Sequence, residues 1–116
     1  NAWHAAEEVE QTTGSRLRIV NLPWLNRVDA AWLKETIGAC RAIITLDNHY
    51  LHGGQGEMLG AAIAELGLDP VARVSRIGVT GLPECGTNDE VLAYHGLDIA
   101  GLVRQFSAAM RQHTFQ

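Results

Sequence analysis

The chain has 116 residues, 47% of them hydrophobic and 19% charged, the balance of a folded domain and not of a disordered segment. Its net charge of -4 gives nucleic-acid binding no electrostatic support. No apolar run approaches the roughly 20 residues of a membrane span, and two cysteines, Cys40 and Cys85, make no disulfide framework.

Taken in order, residues 2–11 predict a helix. Ala2, Ala5, Ala6 and Val9 share one face, and Glu7, Glu8 and Glu10 lie mostly on the other. Gly14 is placed to cap it. Residues 16–22, RLRIVNL, alternate apolar and polar side chains and predict a strand that Pro23 stops. Asp29 is an N-cap for a helix over residues 30–37, in which Leu33 and Ile37 stand four apart and Gly38 follows. Residues 42–46, AIITL, form a short apolar run suited to a buried parallel strand. Asp47, Asn48 and His49 stand at its expected end. The glycine-rich turn Gly53-Gly54-Gln55-Gly56 then leads into a helix carrying Leu59, Ile63 and Leu66 on one face. A turn at Asp69-Pro70 precedes a third strand over residues 71–79. Thr87 and Glu90 form a capping-box pattern that opens a short helix through Tyr94. Asp98 caps the last helix, in which Ile99, Leu102, Val103, Phe106 and Met110 repeat at steps of three and four. The tail HTFQ is expected to fray.

The order α-β-α-β-α-β-α-α predicts a three-layer α/β domain, with a small, mostly parallel sheet and helices on both faces. Asn1 is not an initiating methionine, so a processed or truncated chain is expected. The polar, helical start NAWHAAEEVE does not resemble a signal peptide, and a reduced, cytoplasmic setting is the expectation.

Two segments resemble the C-terminal domain of transketolase-type enzymes, whose relatives include 1-deoxyxylulose-5-phosphate synthase and the 2-oxoacid dehydrogenase β subunits. One is ITLDNHYLHGGQGEMLGAAIAE, residues 44–65. The other is GVTGLPECGTNDEVLAYHGLDIAGLV, residues 78–103. AWHAAEEVE and RLRIVNLPWLNRVDAAWL fit in order before them as the family's first helix and second strand. Where many members carry Glu at the strand end, this chain has Asp47. The resemblance implies one C-terminal-type domain over residues 1–116, with the family's first strand falling ahead of Asn1. It also implies a parent enzyme, homodimeric, that uses thiamine diphosphate and a divalent metal to move two-carbon ketol units between sugar phosphates. The cofactor is held by other domains or an N-terminal subunit. The implied role here is assembly, without catalytic, cofactor or metal residues in this chain and without a nucleic-acid or membrane partner.

The residues themselves leave alternatives open. Asp47, His49 and His52 are metal-ligating types, but their spacing is that of no established site, and polar residues at an interdomain or subunit contact are the commoner explanation. Gly53, Gly54 and Gly56 suit an anion at a helix N-terminus, a partner contact, or simply a tight turn. The turn 47–56 is therefore the candidate anion or partner contact of a regulatory or partner-binding module. Cys85 with His95 offers a nucleophile and a base without an orienting third group. Cys40 is expected to pack. Among the tryptophans, Trp24 in its loop suits an interface best, with core packing the rival for Trp32.

Overall fold

A computed structural model describes residues 1–114. Seven elements follow in order: α1 (Ala2–Thr13), α2 (Ala30–Ile37), β1 (Ala42–Tyr50), α3 (Gln55–Glu65), β2 (Arg73–Val79), α4 (Asn88–Tyr94) and α5 (Ile99–Thr114). The chain divides into two compact units, residues 1–21 with 81–116, and residues 22–80.

In the unit of residues 22–80, β1 and β2 pair in parallel, and α3 supplies the crossover that parallel neighbours need. Ala42 lies opposite Arg73 and Leu46 opposite Ile77. Beyond Leu46 the register slips: β1 advances four residues to Tyr50 while β2 advances two, to Val79. Such a bulge re-aims the side chains of the longer strand. Gly78 makes room for it, because a Cβ there would sit 3.1 Å from the His49 carbonyl oxygen. Leu33 and Ile37 of α2, Ile63 of α3 and Ala72 form the buried core, with Ile43 and Val74 of the strands packed on it. Each large apolar side chain buried this way contributes roughly 1.5–3 kcal/mol. The expected cap of α2 is present: the Asp29 carboxylate accepts the Trp32 N–H at 2.8 Å.

In the other unit, α1 packs against α5. Ala5, Ala6 and Val9 are buried on one, Leu102 and Phe106 on the other, as the helical spacings require. Gly14 ends α1 in the left-handed conformation, φ +74°. The Thr87–Glu90 capping box is complete at the start of α4. Asp98 Oδ1 accepts the Gly101 N–H at 2.9 Å and so caps α5. Gly101 has no room for a Cβ, which would collide with the Gly96 carbonyl oxygen; the α4–α5 joint depends on that close approach.

Three expectations are corrected. Residues 16–22 are not a strand, and among the described residues the sheet has two strands, not three. Alternation supplies a strand's side chains but not a ladder, and Ile19 and Val20, which should pack, are 40% and 47% exposed. The strand expected over residues 42–46 continues past Leu46 through Asp47, Asn48 and His49 to Tyr50. Cys40 is exposed, because it falls in the turn after Gly38 before β1 begins. The parallel α/β architecture itself is as expected. The end of the tail, residues 115–116, lies outside the described residues.

Candidate functional site

The turn between β1 and α3 brings together most of the residues singled out by the sequence. Asp47 is 5% exposed. Its carboxylate sits on the first turn of α3, where Oδ1 accepts the Gln55 N–H and Oδ2 accepts the Gly56 N–H, each at 3.0 Å. These are two of the unpaired donors that every helix presents at its start, and a negative charge there also meets the positive end of the helix dipole. Asp47 therefore acts as an N-cap reaching across from the neighbouring strand.

The glycines follow from that approach. A Cβ on Gly54 would lie 2.8 Å from Asp47 Oδ2, and one on Gly56 would collide with Thr45 Oγ1 and lie 3.1 Å from Asp47 Oδ2. Gly53 carries φ +75°, a conformation that side chains resist, and its N–H donates to Glu57 Oε2 at 2.9 Å. Arg76 of β2 stands 4.0 Å from the same oxygen. Thr45 Oγ1 is buried without a hydrogen-bond partner.

His49 Nδ1 lies 2.8 Å from the Tyr50 carbonyl oxygen, which can only accept, so Nδ1 carries the proton. Its Nε2 faces Asp47 Oδ1 at 3.6 Å. His52 is exposed in the turn. Of the proposed trio, Asp47 and His49 are neighbours, and among the described residues no group of three His, Cys, Asp or Glu side chains converges on a metal position. The α3 N-terminus does not fit a diphosphate: the amides such a group would need already serve Asp47, and that carboxylate would repel it.

Other candidates are placed more simply. The Glu84 N–H donates to His95 Nε2 at 3.4 Å, which occupies the nitrogen a general base would use, and Cys85 is exposed. Trp32 is 39% exposed, short of the core position that was its rival reading. Trp3 is exposed and donates to Glu7 Oε1 at 3.0 Å. An open concavity of about 350 Å³ beside α4 and α5 is lined partly by Asn1 and Asp98. Their side chains already bond the Leu97 carbonyl oxygen and the Gly101 N–H. The contact that sequence reasoning missed is Gln55, whose Nε2 donates to the carbonyls of Leu22 and Trp24, both at 2.8 Å. No local pattern signals a bond across more than thirty residues.

The titration of Glu90 is shifted. The Thr87 backbone N–H, and then the Thr87 hydroxyl, hold its carboxyl below the ordinary value of 4.5.

No helix among the described residues is long and apolar enough to cross a membrane. Residues 1–102 match the family described as "Transketolase, C-terminal domain". The chain is 32% identical over 100 residues to transketolase-like protein 2 of Mus musculus, a match covering 85% of this chain and 15% of that protein. It is 26% identical over 106 residues to the 1-deoxy-D-xylulose-5-phosphate synthase of Dehalococcoides mccartyi, covering 90% of this chain and 16% of that one. Among solved structures, a split-gene transketolase described as an inactive beta4 tetramer superposes with a TM-score of 0.78 at 25% identity, over 96% of this chain and 34% of that chain. The chain thus spans a minor part of the length of each of these relatives. With residues 1–102 matched and the parallel α/β fold shared, the chain belongs to the transketolase C-terminal domain family.

Proposed function

We propose that the chain serves as the C-terminal domain or small subunit of a transketolase-type enzyme that moves two-carbon ketol units between sugar phosphates. Its part is to support assembly and not to carry out the chemistry. The observation that carries this reading is one of extent: the family match takes in residues 1–102, yet the match covers only 15% of a transketolase-like relative. Most of such an enzyme lies outside a chain of this kind. The polar groups of the β1–α3 turn support the same reading, since Asp47, Gln55, Gly56 and Glu57 are engaged with one another and with the backbone.

In this reading thiamine diphosphate and a divalent metal belong to the other domains of the parent, which is homodimeric and cytoplasmic. The cofactor supplies the carbanion chemistry when bound there. The residues described here orient no part of it; they hold the fold that packs against its carrier.

A second reading, a partner-binding module that uses the turn 47–56, draws on the exposure of His49 and His52. The two separate by reconstitution. The N-terminal part of the source organism's transketolase, expressed without its C-terminal domain, is mixed with this chain. Ketol transfer and molecular mass are then measured for each component and for the mixture. The assembly reading predicts no activity from this chain alone and a stable complex in the mixture. Activity of the chain alone, or no complex at tens of micromolar, contradicts it.

A further inference from the structure

Residues 22–28, LPWLNRV, lead into α2 and belong to no helix or strand. A segment without a ladder is held by what its side chains and carbonyls reach. Two ties are present, one at each end. At the far end Val28 packs against the buried cluster of Leu33, Ile37, Ile63 and Ala72, and Asp29 caps α2. At the near end the tie is one side chain. Gln55 Nε2 donates to the Leu22 and Trp24 carbonyl oxygens, both at 2.8 Å. Carbonyls only accept, so the nitrogen of the Gln55 amide faces them and both of its N–H groups are used. Pro23 lies between the two carbonyls, and its fixed φ limits how far they can move apart.

The stretch between the ties is lightly held. Trp24 is 54% exposed and Leu25 is 65% exposed. The Arg27 guanidinium lies over the Trp24 ring, 4.1 Å from its centroid. That contact is internal to the segment, so it moves with the segment and does not anchor it. The core cluster takes in Val28 but none of residues 22–27. Gln55, by contrast, is firmly placed. It is the first residue of α3, and its N–H donates to the buried Asp47 Oδ1 at 3.0 Å. The loop thus takes its order from the β1–α3 turn through one residue.

We infer that residues 22–28 are a strap and that Gln55 is its latch. With the amide in place, residues 24–27 are ordered. With it withdrawn, they swing free about Val28 while the core stays packed, because few buried apolar contacts oppose a local opening there. The strap also follows the turn: a change at Asp47 shifts the start of α3, and Gln55 passes it to Trp24. This coupling is independent of the assembly reading above.

Backbone ¹⁵N relaxation of the full 116-residue chain tests it. In the unaltered chain, residues 24–27 should show order parameters of about 0.85, those of rigid backbone, and Gln55→Ala should lower them below about 0.6. Val28 and α2 should not change. Gln55→Glu keeps the side chain's size and places an acid where a helix start favours one, but it removes both donors and should free the strap equally. Circular dichroism and thermal unfolding establish that each variant is folded. Asp47→Asn, which keeps one acceptor oxygen, should loosen residues 24–27 as well, although the Asp47 oxygens bond to α3. Rigid values for residues 24–27 in both Gln55 variants would overturn the latch, and so would mobile values in the unaltered chain. Unfolding of both Gln55 variants would overturn it too, since a strap's latch does not hold the unit together. Loosening in the Gln55 variants but not in Asp47→Asn would leave the latch and overturn its dependence on the turn.

Discussion

The β1–α3 turn and the 22–28 loop lie in the same unit and are joined by Gln55, yet they invite opposite readings. The turn holds the residues that look chemical: a carboxylate, two histidines and three glycines. Its hydrogen bonds close on themselves, with Asp47 on two helix amides and Glu57 on Gly53. The loop holds nothing that looks catalytic, and its largest side chains face solvent. Polar residue types at a strand end therefore mark a site only when their bonds are left open. Here the exposed apolar side chains, Trp24 and Leu25, sit one hydrogen bond away.

The comparison makes substitutions in the turn costly to stability and those in the loop nearly neutral. Asp47→Ala should have the largest effect. It strands two N–H donors, that of Gly56 buried and that of Gln55 half-buried, and the loss of charge-assisted bonds of this kind is about 2–4 kcal/mol. Urea denaturation of the purified chain measures it, and a change below about 1 kcal/mol would show that the carboxylate does not organise the turn. Gly56→Ala comes next, at about 1–3 kcal/mol of overpacking, because its methyl would run into Thr45 and Asp47. The gain in helix propensity on replacing glycine, about 1 kcal/mol, offsets part of this. If Gly56→Ala is more stable than the unaltered chain, the close approach is not required.

A smaller effect is expected in the other unit. Thr87→Ala removes the cap of α4 at about 1 kcal/mol. It should also let the Glu90 carboxyl rise part of the way towards 4.5, because the Thr87 hydroxyl is lost while the backbone N–H, which lowers it most, remains. The sign is fixed by linkage: a carboxyl depressed in the folded state contributes stability above its unfolded value, and that contribution is lost as pH falls through the folded value. Carboxyl NMR titration of Glu90 in both proteins checks this, and identical titrations would show that the Thr87 hydroxyl does not act on Glu90. Trp24→Ala should change stability least, by about 0.5 kcal/mol or less.

How much of this was legible in the sequence depends on how local the signal was. All five helices could be read, because an apolar face and its cap lie within a few residues of each other: Asp29 with Trp32, Thr87 with Glu90, Asp98 with Gly101. The parallel pairing of β1 and β2 followed from alternation with α3. Residues 16–22 had a strand's side chains without a partner strand, and pairing is what decides. The continuation of β1 through Asp47 to Tyr50 was hidden because polar residues end most strands. Here a bulge and the α3 amides accommodate them. The turn glycines were readable as a turn, but their reason, a carboxylate several residues upstream, exists only in three dimensions. Trp24 stood out by residue type alone; the bond that fixes its backbone did not.

Hydrogen–deuterium exchange of this chain tests the central contrast most directly. The account predicts that amides of residues 24–27, which lie in no helix or strand, exchange fast. Those of Gln55 and Gly56, bonded to Asp47, should be slow to exchange. Exchange of Gln55 and Gly56 as fast as that of residues 24–27 would contradict it and make the turn as open as the loop.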